Sequence, residues 1–320
     1  MCGDNETSVT EFILLGFYSY QNLKIVLFIV FLLIYISILT GNLMIILLVT
    51  TSPHLKNPMY IFLKHLALAD VVFTSNIIPN MLHTIINDGS RMTITACYTQ
   101  YYFHCFSAFA QSLFLTSMSF DRYIAICHPL RYISVMNPKV CSCFIFWSWA
   151  TGFILLQIEF ISLSNLKFCG SNIIDHFFCD FAPVLSIASS DTFKVLWEDF
   201  VITAFLIIVP FVLVIISYIS IFITILKLTT ADGRRKAFST CSSHLAILCL
   251  YYGTIITIYL FPVGQNTPHE NKLKSLLYTT LTPFLNPILY SMRNQEIRRS
   301  LHHLFCKLYR NFRFNSFYIK

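Results

Sequence analysis

The chain has 320 residues, of which 56% are hydrophobic and only 12% are charged. Soluble domains carry about 25% charged residues, so this composition excludes an ordinary water-soluble fold. The formal net charge is +7, and its distribution, described below, does not form the single patch that a nucleic-acid partner would need. No linker rich in Gly, Ser or Pro divides the chain into separate domains.

Seven apolar stretches follow one another, each long enough to cross a bilayer. About 20 helical residues span the hydrocarbon layer. Transmembrane β-strands would alternate in polarity over about ten residues, and runs such as IVLFIVFLLIYISIL do not. The sequence therefore predicts an all-α membrane protein, a seven-transmembrane helix bundle. The stretches, free of Asp, Glu, Lys and Arg except for Asp70 in the second, are 25–55, 65–87, 92–120, 140–158, 200–226, 237–269 and 275–292.

The charges at the ends of these stretches predict the orientation. Seven spans place the two termini on opposite sides, and Lys and Arg concentrate in cytoplasmic loops. Sixteen of the 22 Lys and Arg fall on the side of the C-terminus, so we expect the N-terminus outside and the C-terminus in the cytoplasm. The sequon Asn5-Glu6-Thr7 then lies outside, where glycosylation can occur. The first span lacks a basic segment before it and is too long for a signal peptide, which predicts an uncleaved anchor.

These patterns predict three regions. Residues 1–24 would form an extracellular N-terminal tail, 25–292 the seven-helix bundle, and 293–320 a short cytoplasmic amphipathic helix and tail. Cys306 follows the last span, where it could be palmitoylated or be a plain buried thiol.

Cysteines near the predicted outer loops suggest a covalent tie. Cys97 begins the third span, and Cys169 and Cys179 lie in the long loop before the fifth. A disulfide between that loop and the third helix would fold a lid over the bundle. Because three is an odd number, one of these cysteines is left over. Cysteines inside the spans are expected to act as small hydrophobic residues.

Several motifs in order along nearly the whole chain resemble the vertebrate olfactory receptors, class II type, within the rhodopsin-like G-protein-coupled receptors. The pair KAFSTCSSHL and DRYIAICHPLRY is the most specific. The matching stretches are VTEFILLGF (9–17), GN (41–42), PMYIFL (58–63), LALAD (66–70), SFDRYIAICHPLRY (119–132), SY (217–218), RKAFSTCSSHL (235–245) and PFLNPILYSMRN (283–294).

The chain also departs from the family pattern. Ser189 stands where relatives have a third loop cysteine, so the resemblance implies a Cys97–Cys179 bridge and a free Cys169. Gln111 stands where many relatives have an acid facing Asp70, so an acid pair that could share a sodium ion is missing from the sequence. Phe120 replaces the usual Tyr before Asp121.

The resemblance implies a switch at the cytoplasmic ends of the helices. Arg122 would pair with Asp121 at rest and turn toward a G protein when the helix ends part. Interfacial charges that merely close a helix are the simpler interpretation, since Arg at the membrane edge reaches water. The residues implied to couple to the G protein or to the switch are Asp121, Arg122, Tyr123, Tyr218, Arg234, Arg235, Lys236, His244 and Tyr290.

Polar residues inside the spans are functional candidates by default. Asp70 would either act in a switch or form a structural tie with Asn42 and Asn286, and without an acidic partner at Gln111 we favour the tie. Glu159 is expected to reach loop water, and His244 to be a packed interfacial histidine at the activation hinge.

The resemblance places a ligand pocket in the outer half of the bundle. On the third helix the candidates recur at helical spacing and share one face; helix packing alone remains an alternative for each. Their apolar and neutral character predicts small, mostly uncharged lipophilic ligands. The residues are His104, Cys105, Ala108, Phe109, Ser112, Thr203, Leu206, Tyr252, Ile255, Tyr259, Leu276 and Thr279.

Other functional classes fit less well. An enzyme is excluded for want of motifs such as HExxH, GxSxG or a P-loop, and neither a catalytic cofactor nor a metal is expected. A transporter would show internal repeats or broken half-spans; none is found. A receptor for a non-odorant molecule needs the same pocket and switch. The resemblance implies an odorant receptor of the plasma membrane that contacts membrane lipid, activates a stimulatory olfactory-type G protein and raises cyclic AMP.

Overall fold

Seven long helices form the body of the protein, and the computed structural model describes residues 9–260, 268–304 and 306. The prediction of an all-α seven-helix bundle is confirmed. The helices are α1 Lys24–Thr51, α2 Pro58–Ile86, α3 Ile94–Cys127, α4 Pro138–Ser164, α5 Phe193–Leu226, α6 Ala231–Leu260 and α7, which comprises Pro268–Leu276, a π-helical turn Leu277–Leu281 and Thr282–Arg293.

Four of these helices are individually long and apolar enough to cross a membrane within the described residues, namely α2, α4, α5 and the helical segment Tyr18–Thr51 that contains α1. Their large apolar side chains point outward; Ile25, Phe153 and Ile216, for example, are each more than half exposed. An apolar surface of this extent belongs in lipid rather than in water. The more polar α3, α6 and α7 complete the bundle.

Close approach between α1 and α7 depends on a glycine. A Cβ atom at Gly41 would lie 2.8 Å from Cγ of Pro287, which is closer than packed carbon atoms come. Pro287 itself lies inside α7, where it removes a backbone hydrogen bond. Because Gly41 has no side chain, the ring of Pro287 can pack directly against α1.

A three-stranded sheet covers one end of the bundle, called the sheet end below. Its strands are β1 (Glu11–Leu14), β2 (Ser90–Thr93) and β3 (Ile173–Ile174), in the order β2-β1-β3. The central β1 pairs antiparallel with β2 and parallel with β3. Phe12 and Leu14 alternate inward and are fully buried, as the period of a strand requires. Part of the predicted N-terminal tail is thus a structural element of the lid.

The opposite end, called the Arg122 end, carries two short features. A short helix, Tyr132–Val135, lies in the loop between α3 and α4. Beyond α7, residues 295–304 form a further helix, α8. Its Ile297 is buried, with Leu301 and Leu304 packed against the same core, while the side chains of Arg298 and Arg299 are exposed. The predicted amphipathic helix is therefore present. Cys306 is exposed, so the interpretation of a buried thiol was wrong.

Candidate functional site

A cavity of about 370 Å³ lies between the helices beneath the sheet end. Pockets for small molecules in proteins range from about 300 to 1,000 Å³. Side chains of α2, α3, α5, α6 and α7 line it together with the loop between α4 and α5. Its apolar surface comes mainly from Phe73, Ala108, Phe109, Phe181, Ile207 and Ile255.

Part of the predicted pocket set lies on this lining. The α3 residues fall on one face because they are spaced at one and four positions. The predicted residues on the lining are His104, Cys105, Ala108, Phe109, Thr203 and Ile255. The side chain of Tyr259 lies outside the described part of the chain.

Ser112 and Tyr252 were predicted to line the cavity and do not. Their hydroxyl oxygens are 3.3 Å apart, so α3 and α6 use them to bind each other. The neighbouring Tyr251 lines the cavity instead, and its hydroxyl donates to the carbonyl oxygen of Ala108 at 2.8 Å. The packing of α6 against α3 therefore places Tyr251, and not Tyr252, on the cavity lining.

Two π-helical turns lie at or beside the other predicted residues that miss the cavity. A π-turn bonds each residue to the fifth one along and so shifts the face of the following residues. In α5 the turn Ala204–Ile208 buries Leu206 in the core and presents Ile207 to the cavity. In α7 the turn Leu277–Leu281 accompanies a similar change. There Ser275, Tyr278 and Thr282 line the cavity, and the predicted Leu276 and Thr279 do not.

Acidic side chains also reach the cavity, which the prediction of a neutral lining did not include. Asp180, from the loop, and Asp199, from α5, both lie on its lining. Glu159 of α4 is buried, 1% exposed, and accepts a hydrogen bond of 2.5 Å from the Tyr101 hydroxyl. The expectation that Glu159 reaches loop water was wrong, because α3 and α5 cover it.

His104 occupies an aromatic part of the cavity wall. Its ring centroid lies 4.9 Å from that of Phe73 and 5.2 Å from that of Phe178. The side chain is 6% exposed, and its Nδ1 has no hydrogen-bond partner among the described residues. A buried nitrogen without a partner is costly, so a polar atom within the cavity would stabilise it.

The loop between α4 and α5 is tied to the bundle at several points. A disulfide joins Cys97 and Cys179, as expected from the sequence. Lys272 of α7 forms an ion pair with Asp175, with Nζ 2.5 Å from Oδ1. Nε2 of His176 lies 3.2 Å from the Ser275 hydroxyl. The loop therefore closes the cavity as the predicted lid.

Burial changes the protonation of two groups in this loop. Burial lowers the pKa of His176 to about 3, with a smaller effect from the positive charge of Lys272. The imidazole is therefore neutral at physiological pH. Burial also raises the pKa of Asp180 to about 6, although hydrogen bonds from the Phe181 amide and the Tyr278 hydroxyl oppose the change.

Cys169 is disulfide-bonded, so the expectation of a free thiol was wrong. The expectation considered three cysteines on the predicted outer side and left out Cys2. Cys2 precedes the first span and belongs to the same predicted compartment as Cys97, Cys169 and Cys179. With Cys2 included the number is four, which leaves no reason to expect an unpaired member.

At the Arg122 end the predicted charge pair is in place. Nη2 of Arg122 lies 2.6 Å from Oδ2 of Asp121, whose carboxylate is fully buried. The Tyr132 hydroxyl donates to the other carboxylate oxygen at 2.8 Å. The sequence contained this tyrosine within the quoted SFDRYIAICHPLRY stretch, but only the fold shows that the loop helix brings it back to Asp121.

The remaining predicted switch residues surround this pair. Tyr218 of α5 and Nδ1 of His244 of α6 are 2.8 Å apart, and Tyr290 of α7 is fully buried with its hydroxyl near the sulfur of Met118. Tyr123 bonds to His128 in the adjoining loop. Arg234 and Arg235 are exposed at the start of α6, and the side chain of Lys236 is outside the described residues.

The polar core is arranged around Asp70. Nδ2 of Asn286 donates to Oδ2 of Asp70 at 2.9 Å. Asn42 bonds to the carbonyl oxygens of Ile38 and Pro283 rather than to the acid. Oδ1 of Asp70 and Nε2 of Gln111 are buried without partners among the described residues. Asn286 therefore forms the expected tie to Asp70, whereas Asn42 bonds to backbone carbonyl oxygens of α1 and α7.

Two exposed apolar residues at the Arg122 end were not predicted. Leu130 is 100% exposed and Ile133 is 86% exposed, both in the loop after α3. Charged neighbours such as Arg131 set this loop apart from the lipid-facing surfaces. An apolar pair on a polar loop is typical of a protein contact.

Comparison with known proteins agrees with this architecture. A family model described as olfactory receptor matches residues 31–308. Olfactory receptor 10A7 of Homo sapiens is 42% identical over 298 residues, covering 93% of this chain and 94% of that protein. Olfactory receptor 1468 of Rattus norvegicus is 38% identical over 307 residues, covering 96% and 98%. The olfactory receptor-like protein OLF1 of Canis lupus familiaris is 41% identical over 294 residues, covering 92% and 94%. This chain, with its seven-helix bundle, belongs to the olfactory receptor family of G-protein-coupled receptors.

Proposed function

We propose that the cavity beneath the sheet end binds small lipophilic odorants and that binding releases the Asp121–Arg122 pair. The observation that carries this proposal is that α3 connects the two places. His104 and Cys105 line the cavity, and Asp121 and Arg122 lie further along the same helix at its opposite end. A ligand that binds one arrangement of α3 more tightly shifts the population toward it.

The proposed partner is a heterotrimeric G protein of the stimulatory olfactory type, whose activation raises cyclic AMP. Arg122 is 15% exposed beside a fully buried acid, so a modest movement can make its guanidinium accessible. The exposed Leu130 and Ile133 lie in the loop that follows α3 and offer an apolar contact. Arg234 and Arg235 add positive charge at the start of α6.

The proposed orientation places the sheet end outside the cell and the Arg122 end in the cytoplasm of a plasma-membrane protein. The excess of Lys and Arg at the Arg122 end supports it. The proposed regions remain the extracellular residues 1–24, the bundle 25–292 and the cytoplasmic residues 293–320. Asn5, the proposed glycosylation site, lies outside the described part of the chain.

A cell assay tests the proposed function. Cells expressing the chain are exposed to a panel of small volatile molecules, and cyclic AMP is measured. We expect activators in the panel and a complete loss of their effect in Arg122→Ala, with surface glycosylation unchanged. Normal signalling by this variant would overturn the assigned switch. Epitope tags at the two termini, both accessible on intact cells, would overturn the orientation.

A further inference from the structure

Three carboxylates lie around Tyr101, each from a different element; Asp180 and Asp199 are on the cavity lining, and Glu159 bonds to the Tyr101 hydroxyl beside it. Glu159 comes from α4, Asp199 from α5 and Asp180 from the loop that carries the disulfide. Tyr101 of α3 stands among them: its hydroxyl donates to Glu159 at 2.5 Å, and Asp199 lies within its hydrogen-bonding reach. Asp180 and Asp199, distant in sequence, therefore form one acidic wall of the cavity, and Glu159 competes with it for the Tyr101 hydroxyl.

The donors on this wall are fewer than the acceptors. The phenol of Tyr101 carries one hydrogen, which it donates to Glu159. Asp199 is then left with the hydroxyl of Thr203, although an ionised carboxylate can accept about four hydrogen bonds. The wall thus has unused capacity to accept hydrogen bonds.

Two buried polar atoms, one on the cavity lining and one beside it, have no hydrogen-bond partner among the described residues. Oε2 of Glu159 has no partner among the described residues, and its side chain is 1% exposed. Nδ1 of His104, on the cavity lining itself, is also without a described partner. Since an unpaired buried polar atom is costly, the lining position of His104 favours a ligand with a hydrogen-bonding group over a pure hydrocarbon.

The charges nearby leave the wall short of positive charge. Lys274 is the cation on the described lining, opposite two lining acids. Lys272 is engaged by Asp175 in the lid. Close carboxylates with too few counter-charges repel each other, so a cationic group entering the cavity would be attracted. The stacked rings of Tyr101 and Phe181, with centroids 5.8 Å apart, add aromatic faces that also favour a cation.

We propose that the cavity selects ligands with a basic nitrogen on a small apolar body, and that Asp199 is the ion partner of the protonated amine. This inference rests on the proposed function and names its ligand class. An ammonium group supplies three donors to a wall that lacks them. The apolar body packs against Phe109, Ile207 and Ile255 on the remaining lining.

Matched probes test the proposal. Cyclohexylamine, cyclohexanol and cyclohexanecarboxylic acid share one ring and differ in the polar group. In cells expressing the chain, we expect cyclohexylamine to raise cyclic AMP at a concentration about tenfold lower than cyclohexanol, since one charge-assisted bond contributes on that scale. Cyclohexanecarboxylic acid should be the weakest. Equal potency of the amine and the alcohol would overturn the proposal.

A pair of variants in adjacent positions assigns the effect. Asp199→Asn should remove the advantage of the amine and leave the response to cyclohexanol within about twofold. Glu198→Gln is the matched control, because Glu198 pairs with Lys194 at 3.6 Å and is not on the described lining; it should behave like the unmodified chain. An equal effect of both variants on the amine would contradict the assignment to Asp199.

A binding measurement separates this proposal from the proposed function. Thermal stabilisation of the purified receptor reports binding without a G protein. We expect cyclohexylamine to raise the melting temperature of the unmodified chain and of Glu198→Gln, and to have no effect on Asp199→Asn. Stabilisation without any cyclic AMP response would overturn the proposed coupling and support the amine site. Activation by neutral odorants without thermal stabilisation by cyclohexylamine would overturn the amine site and support the proposed coupling.

Discussion

Arg122 and Tyr132 hold the two oxygens of the same carboxylate. The guanidinium binds Oδ2 of Asp121 at 2.6 Å, and the tyrosine hydroxyl binds Oδ1 at 2.8 Å. The acid is fully buried at 0% exposure, so both bonds are made away from bulk water. Tyr132, in the loop after α3, therefore holds the Asp121 carboxylate in place, and this carboxylate holds Arg122.

Removal of the Tyr132 hydroxyl should weaken this arrangement. In Tyr132→Phe the carboxylate loses one bond, and a hydrogen bond to a charged group contributes about 1.5–3 kcal/mol. We expect basal cyclic AMP in the absence of ligand to rise several-fold, since the inactive pairing becomes less stable. The matched control is Tyr35→Phe, whose hydroxyl bonds only to Ser75 on a more exposed surface. Unchanged basal signalling in Tyr132→Phe would contradict a role for this bond at rest.

Leu130 gives a separate test of the G-protein contact. Because this side chain is 100% exposed, Leu130→Ser removes no packing within the receptor and should leave its folding and surface level unchanged. We expect the maximal cyclic AMP response to fall by about tenfold while the ligand concentration for half-maximal response changes little. The experiment compares surface staining with cyclic AMP in the same cells. Full signalling at normal surface level would show that Leu130 makes no such contact.

The state of Cys169 is directly measurable. A membrane-impermeant thiol reagent applied to intact cells should fail to label Cys169 before reduction and should label it afterwards. Mass spectrometry of the unreduced protein should recover the peptide that contains Cys169 linked to another peptide. Cys306, which is exposed and free, serves as the positive control after permeabilisation. Labelling of Cys169 without reduction would contradict the disulfide.

Asp180 predicts a pH dependence of stability. Burial raises the pKa of this carboxyl to about 6 from an ordinary value of 3.8, so the folded state binds the proton more tightly than the unfolded state. Stability should therefore decrease as pH rises from about 4 to about 6 and should change little through this group above that range. His176, whose pKa is lowered from 6.5 to about 3 in the folded state, contributes the opposite slope over this range, because only the unfolded chain protonates it there.

The variant Asp180→Asn isolates this contribution. The amide oxygen can still accept from the Phe181 amide and the Tyr278 hydroxyl, which bind the acid in the native chain. We expect the melting temperature of the purified native receptor to fall relative to that of the variant between about pH 4 and about pH 6. Parallel curves for the two proteins would mean that Asp180 does not titrate in this range.

Periodicity was a reliable guide wherever a helix is regular. His104, Ala108 and their neighbours share a face of α3 and do line the cavity, because side chains four positions apart lie one above the other. In α5 and α7 the family resemblance selected Leu206, Leu276 and Thr279, which do not line it. Leu206 and Thr279 lie within the π-helical turns Ala204–Ile208 and Leu277–Leu281, which interrupt the regular spacing, and the sequence has no clear signal for such a turn.

For the charged residues too, the sequence determined some features and the packing of the helices determined others. The sequence located Asp121 and Arg122, and the family resemblance implied their pairing, which is present in the structure. The sequence could not show that Asp180 and Asp199 share the cavity lining or that Glu159 bonds to Tyr101, because both depend on how α4, α5 and the disulfide-bonded loop pack against α3.

The sequence by itself determined that this protein lies in a lipid bilayer and how many helices it has. The reason is that burial of apolar helices in lipid depends on their composition and length alone. Its motifs determined the family and located the residues of the proposed switch. Only the tertiary structure decided which polar groups share a wall and which tyrosine faces the cavity. Those outcomes follow from the rotation and packing of whole helices, and a local pattern of residues does not fix either one.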